Sequence, residues 1–162
     1  MIMRIVEQIC VHPLWLEHVE KIKELEQDRI FCRHDITHFL DVARLAYIEN
    51  LEKQLHISKE LIYAAALLHD IGRDVQYTEG IPHDKAGAVI ADEILRDCGV
   101  TSEEKEQILS GITEHRNPGI KEALDLSGLI YRADKGSRMC LFCNARESCN
   151  WSPEKKNLIL KN

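Results

Sequence analysis

No stretch of this sequence approaches the roughly 18 consecutive apolar residues that a membrane-spanning helix needs, so no membrane partner is expected. The opening MIMRIVEQICVHPLWLEH is too polar for the core of a secretory signal, and a cytoplasmic location follows as the expectation. Alternating apolar-polar runs and Asn-Gly hairpin signals are missing. Internal repeats, linkers and low-complexity segments are missing too. Nor is there a surplus of positive charge. Lys and Arg number 21 against 27 Asp and Glu, a formal net charge of −6, which excludes a general nucleic-acid-coating role. A small anionic substrate stays compatible, because bound metal ions invert the field locally.

What is present describes one soluble helical domain. The 162 residues are 44% hydrophobic and 30% charged, enough chain to close a core. Residues 2 to 28 predict one or two helices, with Pro13 as a break or a helix start. Asp35 is a good N-cap for a helix carrying His38, with an apolar face through Ile36, Phe39, Leu40, Ala43 and Tyr47. Ser58 is placed to cap SKELIYAAALLHDIG, whose buried stripe is Leu61, Ala65 and Leu68 and which Gly72 ends. His69 and Asp70 then fall in its last turn, pointing outward. RDVQYTEGIPHD is expected to be a loop. A helix from about His83 to Cys98 follows, closed by Gly99. Thr101 and Glu104 fit a capping box for the helix reaching His115, which Asn117-Pro118 stops. A helix over roughly 121 to 138 carries Asp134. A cysteine-rich loop and a short helix opened by Ser152 and Pro153 complete an all-α chain.

Six side chains with metal-binding chemistry are strung through these helices: His38, the doublet His69-Asp70, His83, His115 and Asp134. A neutral imidazole binds terminally, whereas a carboxylate has two oxygens and can bridge two ions. Helical bundles converge such groups on a centre. Mixed nitrogen and oxygen donors suit iron, manganese, zinc or cobalt better than magnesium alone. Taken singly, each histidine is more often a core or surface residue. An Asp near a helix C-terminus opposes the macrodipole, which makes Asp70 and Asp134 odd as decoration. His34 and His38 lie four apart on one helix face, and spacing alone does not choose between them.

The order H…HD…H…H…D resembles the HD-domain superfamily of metal-dependent phosphohydrolases over about residues 30 to 140, with a cysteine-containing extension at 139–162. HFLDVA after His38 looks like the family's H-x-x-x-V-A helix, AALLHDIGR like its apolar helix ending in HD-I-G-Lys/Arg, and RADKGSR like its closing A-D motif. This context selects His38 over His34. Family members with only H…HD…D hold one metal. His83 and His115 resemble the di-metal branch, and the HDKAGAVI helix is similar to that of small bacterial hydrolases of the diadenosine tetraphosphate type.

The resemblance implies that His38, His69 and Asp134 hold one divalent transition-metal ion, that His83 and His115 hold another, and that Asp70 bridges them. A water or hydroxide between the ions would attack phosphorus, and the cations would neutralise charge on the phosphoryl oxygens. Arg73, Lys135 and Arg138 sit near ligands as phosphate-clamp candidates, with Arg33 a further one. Asp74 and Glu114 are candidates to orient histidines. The implied substrate is a small phosphorylated molecule, a nucleotide first. The family also includes di-iron oxygenases with the same ligand set, and a non-catalytic metal-stabilised binding module is a third reading.

Cys140-x2-Cys143-x5-Cys149 lies outside this pattern. Cys-x2-Cys presents two thiolates to zinc or iron, and Cys32, Cys10 or Cys98 could complete a site. The bland alternative is reduced thiols covering the bundle end with Phe142 and Trp151. The N-terminal apolar residues Leu14, Trp15 and Val19 would pack on the domain itself or on a second copy.

Overall fold

The computed structural model describes residues 2–160, and every regular element among them is helical: α1 (Arg4–Val11), α2 (Pro13–Leu25), α3 (Ile36–Glu52), α4 (Lys59–Leu68), α5 (Arg73–Glu79), α6 (His83–Asp97), α7 (Ser102–Glu114) and α8 (Leu126–Gly136). No helix among these residues is long and apolar enough to cross a membrane.

Helix α4 is the axis of the bundle. It packs against α1, α3, α7 and α8, and Ile62, Ala64, Ala65, Ala66, Leu67 and Leu68 are all buried. The run of alanines lets neighbouring backbones come close, and Gly111 of α7 sits opposite Ala65. A helix apolar on all sides can only be central. Phe39, Val42, Ala43 and Ala46 of α3, Ile108 and Ile112 of α7, and Leu129 and Ile130 of α8 complete the core around it. Trp15 of α2 is buried and donates its indole N–H to the Leu67 carbonyl at 3.0 Å. Leu14 and Val19 also pack on this core, whereas Leu16 and Leu25 of the same helix are exposed.

Local chemistry explains the helix starts. The Asp35 carboxylate accepts from the His38 amide at 3.0 Å, Thr101 and Glu104 form the reciprocal capping box, and Asp125 accepts from Gly128 N–H at 2.9 Å. Pro13 opens α2, where its missing N–H has no intrahelical partner to lose. Buried Asn50 holds the α3–α4 connection, exchanging two hydrogen bonds with the backbone of Ile57.

Several local expectations are corrected. Ser58 precedes α4 but makes no capping hydrogen bond. The expected loop after Gly72 contains α5, closed by Gly80 at φ +75°. This seven-residue helix is too short to show a period and is held by α2 and α6. Helix α8 starts at Leu126, not near 121. A 3-10 turn at Pro118–Ile120 precedes it, and Arg132 occupies the carbonyls of Lys121 and Ala123. Ser152 and Pro153 open only a turn, and a 3-10 turn forms at Cys140–Phe142. The inner face of α3 runs through His38, Phe39, Val42, Ala43, Ala46 and Asn50, with Ile36 exposed and Leu40 and Tyr47 only half-buried.

Candidate metal centre

The doublet His69-Asp70 lies in the turn just past α4 and is fully buried, both residues 0% exposed. Around it, α3 brings His38, the start of α6 brings His83, the end of α7 brings His115 and α8 brings Asp134. Ligand atoms of His38, His69, Asp70 and Asp134 all lie within 4.8 Å of one another, and so do those of Asp70, His83 and His115. The six residues singled out from the sequence thus form two adjoining groups that share Asp70.

The shared carboxylate divides its oxygens. Asp70 Oδ2 lies 3.1 Å from His69 Nε2 and 3.4 Å from His38 Nε2. Asp70 Oδ1 lies 3.2 Å from His83 Nε2 and 3.7 Å from His115 Nε2. Asp134 Oδ1 completes the first group, 3.3 Å from His38 and 3.6 Å from His69.

Each imidazole is held by its other nitrogen. His69 Nδ1 donates to the Ala66 carbonyl at 2.7 Å and His115 Nδ1 to the Ile112 carbonyl at 2.6 Å. Both histidines sit at the C-cap of their helix, where the carbonyl three residues back has lost its intrahelical partner. His83 Nδ1 donates to Gln76 Oε1. His38 Nδ1 donates to Ser137 Oγ at 3.2 Å, and that hydroxyl in turn donates to the Asp134 carbonyl at 2.8 Å. Anchoring Nδ1–H to oxygen leaves the Nε2 lone pair free, the tautomer a metal ligand needs.

Two observations test the fit to cations. Among the described residues, His69 Nε2 and Asp70 Oδ2 are buried without a hydrogen-bond partner, although burying unpaired polar atoms is costly. Electrostatics point the same way. Burial opposes charge on His69, but Asp70 and Asp134 override it and draw the imidazole up to about 9. Burial likewise opposes ionisation of Asp70 and Asp134, yet the surrounding cationic and imidazole groups hold both well below the usual carboxylate range. The centre calls for positive charge at Nε2 of His69. His83 goes the other way, pushed down to about 4 chiefly by burial, which leaves it a neutral donor.

Arg73, Lys135 and Arg138 reach the site. Arg73 Nε donates to Asp70 Oδ1 at 2.9 Å, Lys135 bonds Asp134 Oδ2 and the His115 carbonyl, and Arg138 Nη2 lies 3.2 Å from His38 Nε2. Arg33 does not reach it: its guanidinium is tied to the Gln27 and Arg29 carbonyls. Asp74 pairs with His18 at 2.7 Å and Glu114 with Asn117, so neither orients a histidine of the centre. Gln76, Ser137 and two carbonyls do that. Gln76 left no signal, because its segment shows no helical period.

His34 is also brought in. Its Nε2 lies 3.9 Å from Asp70 Oδ2, and its Nδ1 donates to Glu26. Glu26 accepts in addition from the His34 amide at 2.7 Å and the Tyr77 hydroxyl at 2.6 Å. Burial raises the Glu26 carboxyl, but His34 and Tyr77 override it and hold it at about 2. Burial is also the main reason His34 is lowered.

These groups open onto a cavity of about 700 Å³. Among the described residues, seven arginines and lysines line it (Arg29, Arg73, Arg116, Lys135, Arg138, Arg146 and Lys156), with Asp134 as the one acidic residue.

Comparison with known proteins gives the family and the fold. The HD domain family matches residues 35–139. An uncharacterized protein of Clostridium beijerinckii is 45% identical over 143 residues, covering 88% of this chain and 89% of the relative. The crystal structure of a predicted HD superfamily hydrolase from an uncultured Thermotogales bacterium shares the fold at a TM-score of 0.66. It is 20% identical, and the match covers 91% of this chain and 82% of that one.

Proposed function

The chain belongs to the HD domain family, and from that premise we propose that it is a metal-dependent phosphohydrolase acting on a small phosphorylated molecule, a nucleotide first. The observation that carries this reading is the cavity: in a chain of net charge −6, seven cationic side chains and one carboxylate surround the convergent histidines. A polyanion is the ligand such a wall attracts. The cavity volume suits a drug-sized or nucleotide-sized molecule, and Phe31 and Trp151 on its wall offer faces on which a base can stack.

In this reading His38, His69 and Asp134 would hold one divalent ion, His83 and His115 the other, and Asp70, whose ligand atoms belong to both groups, would serve both. When bound, two such ions lower the pKa of a water and neutralise charge on the phosphoryl oxygens. The chain's own residues do the rest. Arg73 and Lys135 hold phosphate oxygens beside the ligands, trading their carboxylate partners for the substrate. Arg138 belongs to the same wall. His34, kept neutral by burial and fixed at Nδ1 by Glu26, presents its Nε2 as an acceptor that orients the attacking water.

The test is release of p-nitrophenol from p-nitrophenyl phosphate and bis-p-nitrophenyl phosphate, and of inorganic phosphate or a shorter nucleotide from a panel of mono- and dinucleotides, with Mn²⁺ or Fe²⁺ added. Turnover of one class that a chelator abolishes is expected. If every phosphoester and anhydride fails while the iron-loaded protein takes up O₂, the reading is overturned in favour of oxygenase chemistry.

A further inference from the structure

Four of the six cysteines line the same cavity. Cys140, Cys143 and Cys149 of the C-terminal extension come together with Cys32, which lies more than 100 positions earlier in the connection before α3. Cys32, Cys140 and Cys143 also line a second cavity on their other side. Cys10 and Cys98 are elsewhere, packed into the apolar core. All six are free thiols, so the gathering is not a pair of disulfides.

The backbone is shaped to present these thiols. The Cys143 amide donates to the Cys140 carbonyl, closing a turn between the two cysteines. Turns at Arg146 and Cys149 carry the chain on around them. Asn157 ties the extension to α8 through the carbonyls of Lys135 and Arg138, and Arg29 fixes the Cys32 carbonyl at 2.8 Å. Burial raises the Cys32 thiol. Arg138 opposes that, and the three other cysteines add to it, as expected of four thiols close enough to feel one another.

A single tetrahedral zinc with Zn–S bonds of about 2.3 Å holds its sulfurs roughly 3.8 Å apart. Among the described residues, only His and Asp groups bring three ligand atoms within 4.8 Å of one another, and no three of these sulfurs do so. A cubane iron–sulfur cluster spreads its thiolates further, because each binds a different iron. The charge fits as well. Two ferrous and two ferric ions, four sulfides and four thiolates sum to a double negative charge, the thiol protons passing to solvent. Arg29, Arg138, Arg146 and Lys156 surround that position on the cavity wall.

We infer that Cys32, Cys140, Cys143 and Cys149 bind a [4Fe–4S] cluster that pins the C-terminal extension to the entry of α3 and forms one wall of the cavity above the histidine centre. Arg138 joins the two sites: one arm of its guanidinium lies against His38 Nε2 and the other donates to the Arg33 carbonyl, next to Cys32.

The test is acid-labile sulfide, which the histidine centre cannot supply whatever metal it holds. Protein purified without oxygen, or reconstituted with mixed ferrous and ferric iron plus sulfide, is expected to contain four labile sulfides per chain, with a broad visible absorption that dithionite bleaches. Cys32→Ser and Cys143→Ser are expected to lose the sulfide, and Cys10→Ser and Cys98→Ser to keep it. Far-UV circular dichroism distinguishes lost ligation from lost folding, and the wild-type sulfide measurement stands without any variant. One zinc per chain released by thiol modification, or no labile sulfide after anaerobic reconstitution, overturns the cluster. Full sulfide in Cys32→Ser overturns the assignment of that ligand.

Discussion

His83 and His115 aim their Nε2 atoms at one another across 3.0 Å. Each has its Nδ1 proton committed to an oxygen, of Gln76 and of the Ile112 carbonyl. In the neutral rings both Nε2 atoms therefore carry lone pairs, and two lone pairs at that distance repel. A cation between them turns the repulsion into coordination. Asp70 Oδ1, 3.2 Å from His83, adds the negative charge that such an ion would balance.

If two ions bind as proposed, His115→Ala is expected to remove one and keep the other, which His38, His69 and Asp134 would hold. Asp70→Ala is expected to lose both, since its oxygens serve both groups. Metal analysis of protein purified without added ions reads this directly. Unchanged metal content in His115→Ala would sink the two-ion assignment.

Arg73→Ala is expected to weaken binding of a phosphorylated substrate about tenfold to a hundredfold, the worth of a charge-assisted hydrogen bond of roughly 1.5–3 kcal/mol. Arg73→Lys should recover only part, because a point charge replaces a planar fork. The effect belongs mainly in KM, and metal content measured alongside shows whether Asp70, the partner of Arg73 at 2.9 Å, still binds its ions. An unchanged KM would remove Arg73 from the substrate site.

Glu26 sets a pH dependence of stability. Its carboxyl falls from the ordinary 4.5 to about 2 in the folded chain. A lowered carboxylate stabilises the fold fully above its unfolded value and loses that contribution as pH falls through the folded one. Urea unfolding at a series of pH values should show stability declining between about pH 4.5 and pH 2, and Glu26→Gln should flatten that decline while lowering stability at neutral pH. An equally steep acid limb in the variant would mean that Glu26 does not titrate as described.

Gly72, at the N-cap of α5, lies against the backbone of α6. A Cβ there would lie 2.4 Å from the Gly87 amide nitrogen and 2.5 Å from the His83 carbonyl oxygen, both backbone atoms. Gly72→Ala should destabilise by about 1–3 kcal/mol and displace His83, so thermal stability and metal content fall together. Gly87→Ala meets its neighbours at ordinary distances of 3.4 to 3.7 Å and serves as the tolerated control.

Much of the fold was legible because its signals are local. Asp35, the Thr101–Glu104 box and Pro13 act within one turn of themselves, and α3, α4, α6 and α7 are long enough to show a period. Helix α5 and the start of α8 were not legible. Seven residues carry too little periodicity, and Arg132 holds the segment before Leu126 through contacts across the chain. The extension made the same point: Ser152 and Pro153 look like a helix start, but no apolar face follows to be buried.

By itself the sequence determined the inventory: which side chains can ligate, their order, and the helices that carry them. These depend on residue type and on spacings of a few positions. Only the tertiary structure decided where the lone pairs point, that Asp70 splits its two oxygens, that His34 leans on Glu26, and that Cys32 rather than Cys10 or Cys98 joins the cysteine trio. Each of those outcomes depends on how helices pack rather than on spacing along the chain. The His38–Ser137 hydrogen bond spans 99 positions, and no local pattern encodes an orientation set by so distant a partner.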